Sequence, residues 1–146
     1  MKLAADASAL VAESLRARGE HIIKHDDLDI YIAVPTWSEV EHELGRRLTL
    51  MVQQGRLEPV RRERVLAETL AALSNNLTIV TEAEYGQHEA EARDRIPQDP
   101  NDWPTIALAL ALGTSIWTAD QDFFGCGVPV WTTQTLLLHL AVGRAS

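Results

Sequence analysis

The sequence predicts an α/β fold with a central, mostly parallel sheet flanked by helices on both sides, and three observations carry that prediction. Short apolar or β-branched runs alternate with helical segments along the whole chain. One of those helices, in "WPTIALALALG", is apolar on every side, as a helix buried against a sheet must be. Acidic residues recur just past the strands, at the edge where open parallel sheets bind ligands.

Residues 2–5 read as a first strand, followed by a helix over "ASALVAESLRARG" that Gly19 stops. "DIYIAVP" reads as a second strand closed by Pro35. From Thr36 a helix runs toward Gly55, with Trp37, Val40, Leu44, Leu48 and Met51 at helical spacing. Pro59 opens another helix that reaches about Leu73. "LTIVT" is a third strand, and "EAEYGQHEAEARDRI" a polar helix weakened by Gly86. The buried helix ends at Gly113 and leads into the strand Ser115–Thr118. "VPVW" gives a last short strand and "TTQTLLLHLAVG" a C-terminal helix.

A chain of 146 residues is one domain, 1–146, with room for a core that needs no covalent staples. The single cysteine, Cys126, excludes a disulfide framework and a thiolate zinc site, which fits a reducing cytoplasm. The N-terminus is too weakly apolar for a signal peptide, and no run approaches the roughly 20 apolar residues of a membrane span. A net charge of −8 argues against nucleic-acid binding through bulk attraction. The charge is nonetheless uneven, because Arg46, Arg47, Arg56, Arg61, Arg62 and Arg64 lie close together.

The acids placed at the carboxyl edge are Asp6 after the first strand, Glu39 at the start of the next helix, Asp102 before the buried helix, and Asp120 and Asp122 after the fourth strand. Each has a purely local explanation. Asp6 and Asp102 would serve as helix N-caps, Thr36 and Glu39 match a capping box, Glu43 would pair with Arg47, and Asp120 and Asp122 suit a turn. Five separate local causes at one edge are less economical than one shared cause. Clustered carboxylates bind Mg²⁺ or Mn²⁺, hard cations that prefer oxygen ligands and serve phosphoryl chemistry. The five histidines show no metal spacing, and the four tryptophans with Phe123 and Phe124 read as core.

"AADASALV", "VPTWSEVEHEL", "DPNDWPTIALALALG" and "SIWTADQDFFG" together resemble the PIN domain family, in that family's order and over essentially the whole chain. The resemblance implies a single PIN-like α/β domain and a metal-dependent ribonuclease using Mg²⁺ or Mn²⁺. It implies the VapC type in particular, a toxin held in check by an antitoxin protein. By the same resemblance Asp6, Glu39, Asp102 and Asp120 are the catalytic acids, with Glu43, one turn on, the alternative to Glu39 and Asp99 the alternative to Asp102. Asp6, Asp102, Asp120 and Asp122 would hold the ion, and Ser8 and Thr118 would support them. Arg46 and Arg47, two turns along the helix of Glu39, would hold RNA unless they are surface charges paired with Glu43. Many members of the family pair as homodimers, and "TLLLHLAVG" would be either a pairing surface or core. The competing readings are a PIN-fold protein-interaction module with little or no turnover and, from the D-x-D pair, an aspartyl phosphatase. The phosphatase fits less well, because in such enzymes the pair follows the first strand.

Overall fold

The computed structural model describes residues 1–145. In chain order it contains β1 (Lys2–Ala5), α1 (Ala7–Glu13), α2 (Ala17–Ile23), β2 (Asp29–Ala33), α3 (Val34–Gln53), α4 (Arg62–Asn76) and β3 (Leu77–Val80). After these come α5 (Glu82–Tyr85), α6 (Glu89–Arg95), α7 (Trp103–Leu112), β4 (Ser115–Trp117), β5 (Val130–Trp131) and α8 (Thr133–Ala145). Ser146, the last residue of the expected 1–146 domain, lies outside the described residues.

The five strands form one sheet in the order β3-β2-β1-β4-β5, and every neighbouring pair is parallel rather than most of them. Strand order reverses between β1 and β4, so the carboxyl ends of these two strands flank the switch point where open α/β sheets bind ligands. Helices cover both faces. Leu3 and Ala5 of β1 point into a core with Ile22 of α2, Val40 and Leu44 of α3, Leu73 of α4 and Leu136 of α8. Ala4, between them, points the other way, into a core with Tyr85 of α5, Ala92 of α6 and Ile106 of α7. This is the period-2 alternation of a strand buried on both faces.

Several local expectations are corrected. The helix expected over 7–19 is two helices, α1 ending at Glu13 and α2 starting at Ala17, and Gly19 sits inside α2 instead of stopping a helix. The reason is steric: a Cβ on Gly19 would lie 2.0 Å from the carbonyl oxygen of Glu13. Glu13 is itself buried and grips Arg18 through two hydrogen bonds of 2.9 and 2.8 Å, which pulls the two helices together. Gly19→Ala should therefore destabilise the fold by about 1–3 kcal/mol, the usual cost of forcing an extra methyl into a packed contact. Chemical denaturation would measure this, and an unchanged midpoint would mean that α2 moves away freely.

The second strand stops at Ala33, and Pro35 belongs to α3, where a proline in the first turn costs no hydrogen bond. Helix α3 consequently begins two residues before Thr36. Ala33 is its N-cap and makes no side-chain cap bond, so the Thr36–Glu39 capping box does not form. The polar helix expected over 82–96 breaks around Gly86 into α5, a 3-10 turn and α6. Gly113 does end α7, with a φ of 62° that suits glycine. Trp117 and Phe123 are fully buried as expected, but Phe124 is 52% exposed and is not a core anchor. The "TLLLHLAVG" helix divides its faces: Leu136 and Leu140 are buried, whereas Leu138 and Val142 are exposed.

Candidate functional site

Register brings the first acid to the switch point. Ala5 pairs with Trp117, and the Asp6 N–H donates to the Trp117 carbonyl at 2.9 Å, so Asp6 and Thr118 emerge side by side. Asp6 is buried, and its Oδ2 accepts from the Ser8 hydroxyl at 2.6 Å and the Thr118 hydroxyl at 2.9 Å. The N-cap role expected from local rules is present but weak, since the Ser8 N–H reaches the same oxygen only at 3.4 Å. Both hydroxyl bonds fall on Oδ2, and neither claims Oδ1.

The hydroxyls also position the fourth acid. Ser8 Oγ accepts from the Ala119 N–H, and Thr118 Oγ1 accepts from the Asp120 N–H, each at 3.0 Å. Each hydroxyl therefore gives its proton to Asp6 and uses a lone pair to hold the backbone that carries Asp120. Two small side chains couple two acids across the β1–β4 seam. Their hydroxyl oxygens are 3.1 Å apart, and with both protons directed at Asp6 neither is left to donate to the other.

Asp6, Glu39, Glu43, Asp102 and Asp120 line one open cleft of about 290 Å³ together with Ser8, Val11 and Arg47. Asp102 precedes α7 and makes no side-chain cap bond there, so capping does not account for it. Asp120 has a double role, because its Oδ1 also accepts from the Asp122 N–H at 2.9 Å and so caps a 3-10 turn over Gln121–Phe123. Asp122 and Arg46 are not among the residues lining this cleft. The Asp122 carbonyl accepts from the Gln98 side chain at 3.1 Å, and Arg46 donates to Glu43 at 2.8 Å. Arg47 lines the cleft and donates to the Val11 carbonyl at 3.3 Å. The pairing of Glu43 with Arg47 expected from i,i+4 spacing is thus replaced by one with Arg46 at i,i+3.

The electrostatics follow from this crowding. Burial pushes the Asp6 carboxyl above its ordinary value, and the hydroxyl bonds oppose that only in part. Asp102 is pushed up to about 7 by burial and by the charges of Asp6, Asp99, Glu39 and Asp120. Glu39, more open to water, is raised by burial and by Asp6, Glu43, Asp99 and Asp120. Asp99, which the sequence offered only as a substitute for Asp102, thus contributes to the field on both Glu39 and Asp102. Among the described residues, Asp6, Glu39, Asp102 and Asp120 have no ion-pair partner.

The donor chemistry is therefore that of a hard-cation site: five carboxylates against the one guanidinium of Arg47, and raised pKa values for Asp6, Glu39 and Asp102. Among the described residues, no three histidine, cysteine, aspartate or glutamate side chains already stand at metal-binding distances.

Comparison with known proteins gives two positive findings. A family model described as PIN domain matches residues 5–141. Among solved structures, the crystal structure of PAE2754 from Pyrobaculum aerophilum is similar, with a TM-score of 0.66 over 97% of this chain and 89% of that one. The two are 23% identical, a likeness that concerns the fold alone. No curated protein matches the chain.

Proposed function

This chain belongs to the PIN domain family, which is built on a nuclease fold, and we propose that it is a Mg²⁺- or Mn²⁺-dependent ribonuclease that hydrolyses RNA phosphodiester bonds. The observation that carries the reading is the convergence of Asp6, Glu39, Asp102 and Asp120 on one cleft, none of them with an ion-pair partner among the described residues. Asp6, Asp102 and Asp120 would hold the ion, with Asp122 supporting from the adjoining turn. When bound, the ion supplies an activated water and positive charge against the phosphate. Ser8 and Thr118 keep the Asp6 carboxylate oriented and the Asp120 backbone in place. Glu39, raised above its ordinary pKa at the open side of the cleft, is placed to take a proton from an attacking water. Arg47 at the rim and Arg46 behind it offer charge to the flanking phosphates.

Cleavage of a mixed RNA by the purified protein should require Mg²⁺ or Mn²⁺ and stop in excess EDTA. Undiminished cleavage in EDTA would sink the metal-dependent reading. Absence of turnover at any Mn²⁺ concentration would favour the protein-interaction module instead. As to biological role, we assign the chain to the toxin half of a toxin–antitoxin pair of the VapC type, acting in the cytoplasm. No described helix is long and apolar enough to cross a membrane. The exposed Leu138 and Val142 of α8 would be the pairing face of a homodimer. Co-expression with the protein encoded next to it should relieve any growth arrest that the wild type causes.

A further inference from the structure

We propose that the tip of the α3–α4 hairpin is a second RNA contact, where Arg56, Arg61 and Arg64 bind phosphates of the strand beyond the cleaved bond; this rests on the ribonuclease reading above. Residues 46–64 hold six arginines against two glutamates, a local charge of +4 in a chain of −8. The structure separates those arginines by task. Arg62 ties α4 to α3, donating to the Gly45 carbonyl at 2.8 Å and to the Thr49 hydroxyl at 3.0 Å. Arg46 is held by Glu43, and Arg47 by the Val11 carbonyl. The side chains of Arg56, Arg61 and Arg64 are exposed and, among the described residues, have no hydrogen-bond or ion-pair partner. Three guanidinium groups of an otherwise acidic protein are thus left without an internal counter-charge among the described residues.

The hairpin tip is also connected to the acid cleft. A second depression along α3, lined by Glu43, Arg46, Arg47, Thr49, Leu50 and Gln53, shares Glu43 and Arg47 with the cleft. Past Glu43 its charged groups are the two guanidinium groups of Arg46 and Arg47, with no further carboxylate in the lining. From Glu39 to Gln53 the helix rises about 21 Å. A strand kept near the stacked spacing of roughly 3.4 Å per nucleotide crosses that distance in about six nucleotides. Gly55, with a φ of 71°, ends α3 and turns the chain so that Arg56 follows directly at the end of this track. An acidic protein segment would also meet positive charge here, but continuity with the acid cleft favours the RNA backbone.

The test is the salt dependence of binding of a labelled twelve-nucleotide RNA to the full chain in EDTA, so that nothing is cut. Three lost phosphate contacts on single-stranded RNA should make the slope of log K against log salt shallower by about 2 in the Arg56→Gln/Arg61→Gln/Arg64→Gln variant. Lys24→Gln is the charge control: Lys24 precedes β2 at the opposite edge of the sheet and pairs with Glu20, so the slope should stay within about one unit of wild type. The variant should also lose the wild type's preference for the twelve-mer over a four-mer. An unchanged slope, or an equal change with Lys24→Gln, overturns the proposal. So does an unchanged slope accompanied by arginine-dependent binding of a polyglutamate peptide, which would assign the tip to an acidic protein. If the wild type cuts RNA with Mn²⁺ while the slope is unchanged, only this inference fails. If it neither binds nor cuts RNA, the ribonuclease reading fails first.

Discussion

Asp102→Asn should reduce RNA cleavage by roughly 10³-fold, about 4 kcal/mol of lost transition-state stabilisation, and at pH 8 should make the metal-free protein more stable. The two effects have one cause. Asp102 makes no side-chain cap bond and, among the described residues, has no ion-pair partner, yet burial and four neighbouring acids push its carboxyl up to about 7 from an ordinary 3.8. A carboxyl whose folded-state pKa is raised favours the folded state fully below the unfolded value, and that stability is lost as pH rises through the folded value. The penalty is therefore absent near pH 4 and complete by pH 8. Without screening it would be about 4 kcal/mol. Asp102 remains in contact with water, and screening lowers this to on the order of 1–2 kcal/mol. Asparagine removes the charge at nearly constant shape, so the melting temperature should rise by about 3–6 °C at pH 8 and stay unchanged near pH 4. Mn²⁺ should raise the melting temperature of the wild type at pH 8 and do so less in the variant. Calorimetry at the two pH values would read this, and a large loss of stability in the variant would mean that Asp102 is structural.

The sheet and the acids were legible in the sequence for the same reason. Strands buried on both faces are short apolar runs, and a side chain that follows such a run must emerge at the sheet edge, as Asp6 and Asp120 do. What the sequence could not supply was local competition. "LVAESLRARG" has continuous helical spacing, but burial of Glu13 and its grip on Arg18 break it into two helices that need Gly19 at their crossing. Thr36 and Glu39 spell a capping box, but helix α3 had already begun at Val34, where Pro35 fits the first turn. The double duty of Ser8 and Thr118, donating to Asp6 and accepting from Ala119 and Asp120, depends on β1–β4 register and is invisible in a linear pattern. Asp122 shows the limit of motif spacing. Of this D-x-D pair only Asp120 lines the cleft, while the Asp122 N–H donates to the Asp120 carboxylate.

Glu39→Gln should abolish turnover, and Glu43→Gln should reduce it only several-fold. The two glutamates stand one helical turn apart, about 6 Å along α3, and both line the cleft, so position alone does not rank them. Their partners do. Glu43 accepts from Arg46 at 2.8 Å, so its charge is already partly balanced from outside the cleft. Glu39 has no such partner among the described residues, and burial together with four acids, Asp6 and Asp120 among them, raises its pKa. A carboxylate that is destabilised by burial and by the other acids is the one that a bound cation relieves and that accepts a proton more readily than an ordinary glutamate. Loss of the capping box strengthens this ranking, because Glu39 has no structural duty at the start of α3 to explain its presence. Removing its charge should therefore leave the melting temperature unchanged or slightly higher, while kcat falls below detection. Glu43→Gln frees Arg46, and the change should fall mainly on KM as the rim of the cleft rearranges. Steady-state kinetics of both variants, alongside their melts, separate these outcomes. Near-wild-type kcat in Glu39→Gln together with a dead Glu43→Gln would place the second acid one turn further along α3 and move the reacting phosphate toward Arg46 and Arg47.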